Sequence, residues 1–206
     1  MKHTPLELFT LSLHPFPVAL ALSAYGVQVQ RTLIALEANL ISSDQDRVLL
    51  LLEKATMEDL SIIAIERLLR YTPCQHILLL VASKIQAHMI ERWEYAASWE
   101  DGHPLIAQFA VTSMPQHAQE AQVCLATVFD IQVHIGVDST LPFFKMFDVI
   151  VLYDIPTHPG HTWSQIVEIF SALGTCVIGL SSLLSEEEGE QLFERVIDAK
   201  GHLVIR

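Results

Sequence analysis

Short, continuously apolar runs alternate with longer stretches in which apolar residues recur at helical spacing. The runs are Val48–Leu52, His76–Ala82, Ile106–Thr112, Val123–Thr127, Val149–Tyr153 and Cys176–Leu180. None alternates apolar with polar, and several are rich in β-branched residues, as expected of parallel strands covered on both faces. Helix-period segments lie between them at Glu58–Tyr71, Lys84–Ala97, Thr162–Leu173 and Ser185–Ala199. The last opens with Ser185-Glu186-Glu187-Glu188, an N-cap followed by acids in the first turn. A further helical segment, broken near Gly26, is expected from about Pro17 to Leu40.

Strands alternating with helices predict βαβ units and a doubly wound, mostly parallel α/β sheet with helices on both faces. The chain has 206 residues, room for one sizeable α/β domain. No internal repeat or linker divides it. The expectation is one domain over 1–206, with an N-terminal helical segment at about 1–42 and a sheet core at 43–206.

Composition narrows the function. With 51% hydrophobic and 17% charged residues, the chain is built to bury a core. No apolar run reaches the ~18 residues needed to cross a bilayer. The apolar N-terminus is broken by Pro15 and Pro17 and has little positive charge before it, so it reads as mature protein. Twelve basic residues face twenty-four acidic ones, a formal net charge of -12, and the basic residues form no run. Autonomous nucleic-acid binding, which draws most of its non-specific affinity from phosphate neutralisation, is therefore not expected. Cys74, Cys124 and Cys176 form no CxxC, and the last two sit inside apolar runs. Buried, reduced thiols of a cytoplasmic protein are the expectation.

Ligands of doubly wound sheets bind beyond the carboxyl ends of the strands. The first of these ends is the turn Glu53-Lys54-Ala55-Thr56-Met57-Glu58-Asp59, with no glycine and three acids. "RVLLLLEKATMEDLSIIAIERLL" nevertheless resembles the strand, Walker A loop and helix of the first RecA-like domain of superfamily 2 helicases. The likeness is nearest to the DEAD/DEAH-type motor of type I and type III restriction enzymes. "HILLLVASKIQAHMIERW" resembles the family's second strand and helix, and "QVCLATVFDIQ" the segment with a threonine after the fourth strand. "FDVIVLYDIPTH" stands at the Walker B strand. "HTWSQIVEIFSALGTCVIGLSSLL" is similar to the tryptophan-bearing helix and the strand ending in threonine-alanine-threonine-proline. Collinearity over nearly the whole chain carries the resemblance.

The resemblance implies a nucleotide site, and the residues at its positions do not suit one. A phosphate loop needs glycines for its N–H cradle, a lysine for the β- and γ-phosphates and a hydroxyl for Mg²⁺. Here the glycine positions fall on Lys54 and Thr56, the lysine on Met57 and the hydroxyl on Glu58. The Walker B acids fall on Tyr153 and Asp154, or, shifted by one, on Asp154 and Ile155, so one carboxylate is missing either way. Ser181-Ser182-Leu183-Leu184 replaces threonine-alanine-threonine-proline, and Pro17 in "LHPFP" replaces an adenine-reading glutamine. The chain ends where the family's second RecA-like domain would begin. No cofactor is expected. Thr56 is expected to cap the helix that follows, with the acids facing its positive end.

Other chemistry is weaker. His158 and His161, with Asp154 nearby, suggest a metal site, but a Pro/Gly loop with solvent-exposed histidines is the more ordinary reading. Ser181 and Ser182 lack a GxSxG elbow. Asp154 is expected to cap the segment after it. Trp93, Tyr95 and Trp99 suit core packing better than a partner-binding patch. The expected function is a catalytically inactive helicase-like domain acting as a scaffold or protein-interaction module, partnered by another chain or by itself. The competing expectation is a motor-derived subunit that binds nucleotide or nucleic acid together with a partner. A third is an α/β domain of another lineage, which strand order would separate from the first.

Overall fold

Rows of branched aliphatic side chains, one beside the next, form the centre of this molecule. The structure is a computed structural model and describes residues 47–54, 57, 61, 64, 65, 68, 74, 76–82, 106–108, 123–134, 144–198 and 203–205. The strands are β1 (Arg47–Leu51), β2 (Ile77–Val81), β3 (Ile106–Gln108), β4 (Val123–Thr127), β5 (Val149–Tyr153), β6 (Cys176–Ser181), β7 (Arg195–Ile197) and β8 (Leu203–Ile205). Three helices are described with their bounds: α1 (Val128–His134), α2 (Gly160–Ala172) and α3 (Glu186–Leu192).

The strands form one sheet in the order β3-β4-β2-β5-β6-β1-β7-β8. Every neighbouring pair is parallel except β7 and β8. The register aligns the strand ends. Thr127, Val81, Tyr153, Leu180, Leu50 and Ile197 stand on one rung from β4 to β7. All carboxyl ends of the parallel strands therefore open on one edge.

Continuous apolar runs are explained by the two cores. One face buries Val48, Leu50, Ile77, Leu79, Val149 and Val151 together with Met57, Ala64, Ile65 and Leu68. Those last four residues are helical, and with Ser61 they mark the buried stripe of a helix after β1. The opposite face buries Leu49, Leu78, Leu80, Ile150 and Leu152 under Ile131 of α1 and Trp163, Ile166 and Phe170 of α2. Phe144 meets Phe170 edge to face, with ring centroids 5.3 Å apart. Each strand residue thus points into one core or the other, leaving no solvent face that would call for polar alternation.

Close packing over β6 requires glycine at one position. A Cβ on Gly179 would run into the ring of Phe193 and would lie 2.9 Å from both Ile155 and Leu49. Gly174, at φ 79, supplies the left-handed turn that ends α2, and the next N–H, of Thr175, donates to Phe170 O at 3.0 Å.

The six expected strands are present, and the described part of the helix at 58–71 is helical. The α2 expectation differs from the observed helix by two residues at its start. One expectation needs correction. The helix expected over Ser185–Ala199 ends at Leu192, and Arg195–Ile197 forms strand β7 beside β1. Val196 and Ile197 are buried there, and β-branched residues gain more from that strand environment than from a helix end. α1 and β8 are further elements that the apolar pattern did not indicate. The expected N-terminal helix, the 84–97 helix, the residues Trp93, Tyr95 and Trp99, and 109–112 of the third run lie outside the described residues. No helix among the described residues is long and apolar enough to cross a membrane.

Candidate functional site

The carboxyl edge of the sheet is where the sequence places its candidate residues, and the parallel register brings several of them together. At the end of β1, Leu52 is buried, while Glu53 and Lys54 are exposed in a turn. Met57 is helical and only 4% exposed. It belongs to the same core cluster as Leu52, Leu180 and Tyr153, and Tyr153 is itself only 7% exposed. The residues at the lysine position and at the first Walker B position are thus both core residues. Thr56 and Glu58, and with them the expected cap of this helix, lie outside the described residues.

The ends of β5 and β6 are closed by hydrogen bonds instead. Ser181 is fully buried, and its Oγ donates to Ile155 O at 2.7 Å. The same Oγ accepts from Leu183 N at 3.1 Å and from Leu184 N at 3.0 Å. Backbone bonds extend the closure: Leu52 N donates to Ser181 O at 2.8 Å, and Ile155 N to Leu180 O at 3.1 Å. One serine therefore joins the extensions of three neighbouring strands. That role, a buried hydroxyl with three partners, is structural and leaves no free nucleophile. Ile155 and Leu184 are buried beside it.

Asp154 stands one residue beyond β5 with φ 54, and His158 has φ 54 as well. These are the only non-glycine residues with positive φ among those described. Asp and His tolerate the left-handed region better than most side chains. The expectation that Asp154 caps the next helix is corrected. The N-cap of α2 is Pro159, which makes no side-chain cap bond, and Asp154 is turned off the helix start by its left-handed backbone.

His158 engages α3. Its Nδ1 lies 2.9 Å from Glu188 Oε1, and its backbone N–H donates to the same oxygen at 3.3 Å. The other oxygen, Oε2, accepts from Ser185 N at 3.1 Å and from Ser185 Oγ at 3.0 Å, while Glu188 N donates back to Ser185 Oγ at 3.2 Å. This is the capping box that the Ser-Glu-Glu-Glu stretch predicted. Hydrogen bonds from Ser185, then those from His158, hold the Glu188 carboxyl below the ordinary carboxylate range. His161 is exposed on the first turn of α2. No group of three or more His, Cys, Asp or Glu residues suited to a metal occurs among the described residues.

Sequence reasoning missed the site at the end of β4. Thr127 Oγ1 accepts from Asp130 N at 3.1 Å, and Asp130 Oδ2 accepts from Thr127 N at 2.9 Å. The signal was present as Thr-x-x-Asp after an apolar run, a reciprocal cap that starts α1. Asp130 is 4% exposed, and its Oδ1 is buried without a hydrogen-bond partner. Phe129, next to it, is 65% exposed.

The thiols are chemically quiet. Burial, with the Asp148 and Cys176 charges adding to it, pushes the Cys74 thiol up to about 12. Burial alone pushes Cys124 up to about 11. At neutral pH neither offers the thiolate that nucleophilic or redox chemistry uses.

No protein-family model and no curated protein sequence matches the chain. Solved structures do. The helicase domain of Hef from Pyrococcus furiosus superposes with a TM-score of 0.57 at 13% identity, over 85% of this chain and 38% of that one. The UvsW helicase from bacteriophage T4 superposes with a TM-score of 0.52 at 13% identity, over 75% of this chain and 54% of that one. A second T4 UvsW structure gives the same TM-score and identity, with 31% of that chain covered. The chain thus spans about a third to a half of the helicase structures it matches. At such identity the likeness concerns the fold alone. The parallel sheet with helices on both faces is the helicase-like, RecA-like α/β fold.

Proposed function

We propose that this is a helicase-like domain that has given up nucleotide chemistry and serves as a scaffold or protein-interaction module. The observation that carries the reading is Met57. At the position the resemblance assigns to the phosphate-binding lysine stands an uncharged thioether, buried in one core cluster with Tyr153 from the Walker B strand. In a working site those two positions would hold a cation and a Mg²⁺-binding carboxylate around a phosphate. Apolar packing cannot do that work.

The Ser181 network supports the same reading from the other side of the crevice, because it fills the ends of β5 and β6 with protein hydrogen bonds. The net charge of -12 disfavours nucleic acid as the partner and leaves another protein chain, or self-association, as the expected one. Within helicase-like folds, the collinear segments point to the motor subunits of type I and III restriction enzymes as the nearest kin. A cytoplasmic location accompanies this reading, since the thiols are buried and reduced in character.

Calorimetric titration of the full chain with ATP and Mg²⁺ tests the proposal. No heat of binding is expected up to millimolar nucleotide. Micromolar binding, or hydrolysis that disappears in Asp154→Asn, would overturn it.

A further inference from the structure

The loop from β5 to α2 is fastened in two places by chemically different means. Near its start, Ile155 is fully buried and held by backbone and hydroxyl bonds to β6. Near its end, His158 has a side chain 88% exposed and is held by Glu188, whose side chain is 20% exposed. Left-handed backbone at Asp154, His158 and Gly160 brackets the segment. Residues in such conformations persist where surrounding contacts over-determine them, and here the outer contacts all end on one carboxylate. The first fastening shares in the stability of the sheet, whereas the second is open to solvent and belongs with weak, water-exposed pairs.

We propose that residues 154–159 form a strap across the carboxyl edge, latched to α3 by Glu188 and able to open while the sheet stays folded. The segment pivots between the buried Ile155 and the start of α2 at Gly160. When latched, it ties the end of β5 over the end of β6 to the first turn of α3. When released, it uncovers the edge between those strands, which is the part of a doubly wound sheet where ligands and partners engage. Glu188 suits a latch because its two oxygens have separate duties. Oε2 keeps α3 capped through Ser185, and Oε1 holds the strap. The inference depends on local geometry and stands apart from whether the domain binds nucleotide.

Native-state amide exchange on the full chain tests it with two variants. Glu188→Ala removes both the latch and the carboxylate half of the capping box, whereas Ser185→Ala removes the cap and leaves the latch carboxylate in place. Glu188→Ala is expected to speed exchange at the amides of Thr157 and His158 by roughly tenfold, as for loss of a charge-assisted bond. Ser185→Ala is expected to leave those amides within about twofold, and neither variant should move the amides of β5 and β6. Equal acceleration in both variants would mean that the strap merely follows fraying of α3, and the proposal falls. It also falls if Glu188→Ala changes nothing at Thr157 and His158, or if β5 and β6 exchange faster in step with them.

Discussion

The carboxyl end of β1 and the carboxyl ends of β5 and β6 face the same crevice and are closed by opposite means. At β1 the closure is apolar: Met57 is buried with Leu52, Leu180 and Tyr153 in one cluster. At β5 and β6 it is polar, with Ser181 joining Ile155, Leu183 and Leu184, and Glu188 joining His158 and Ser185. The apolar closure is non-directional and resists charge, because burying an unpaired ion is far costlier than burying a thioether. The polar closure is directional and resists the loss of any one partner, because every orphaned buried group carries its own desolvation cost. A site that binds phosphate would need the reverse arrangement, with charge at the end of β1 and open carboxylates at the end of β5.

The sharpest way to break this contrast is Met57→Lys. The variant restores the residue of a working phosphate loop, but at a position buried in an apolar cluster. It is expected to cost about 3–5 kcal/mol in denaturant unfolding, the usual cost of an uncompensated buried charge, without gaining ATP affinity. A neutral melt with micromolar ATP binding would show that the end of β1 is still a phosphate cradle.

Ser181→Ala comes next. It leaves the carbonyl of Ile155 and the N–H groups of Leu183 and Leu184 without their hydroxyl partner. A loss of about 2–3 kcal/mol is expected, in the range for unsatisfied buried groups. A loss of less than half of that would mean that the polar closure is incidental. Thr127→Ala sharpens the comparison with β4, where the carboxyl end starts a helix through a reciprocal cap. The expected cost is about 1 kcal/mol, the ordinary value of a lost N-cap, read from the shift in the denaturation midpoint.

The pH dependence is the smallest effect and separates the two closures without mutation. Glu188 is held below the ordinary carboxylate range, so its contribution is present above that range and is lost as pH falls through its depressed folded value. The buried thiols act with opposite sign. Cys74 is pushed up to about 12, so its contribution is intact below the ordinary thiol range and is lost as pH climbs towards that value. Thermal melts should therefore show an acid-side loss that is absent from Glu188→Gln and an alkaline-side loss that is absent from Cys74→Ala. An acid limb unchanged by the glutamine variant would remove Glu188 from the account.

Much of the candidate site was legible before folding was considered. The missing glycines, Met57 at the lysine position and the single acid Asp154 at the Walker B position are all matters of residue identity. The capping box at Ser185 was also readable, because a cap is made by residues three apart on one chain. Its second use was not. Glu188 reaches His158 thirty positions away, and nothing local in "THPGH" or "SEEEG" foretells that contact. The Asp154 cap failed for a related reason: the left-handed backbone at Asp154 turns the chain before α2 begins.

The sequence by itself determined the strands, the class of sheet and the absence of phosphate chemistry at named positions. Continuous β-branched runs can satisfy water on neither face, so they must lie between two layers, and a phosphate loop without glycine has no cradle to form. Tertiary structure alone decided the rest. It turned Arg195–Ile197 from the tail of a helix into a strand, because burial beside β1 outweighs local propensity. It also brought Met57 against the Tyr153 cluster, and placed Ser181 under Ile155 and Glu188 under His158. Those pairings depend on strand order and register, which join residues far apart in the chain through burial and hydrogen bonding that no local pattern encodes.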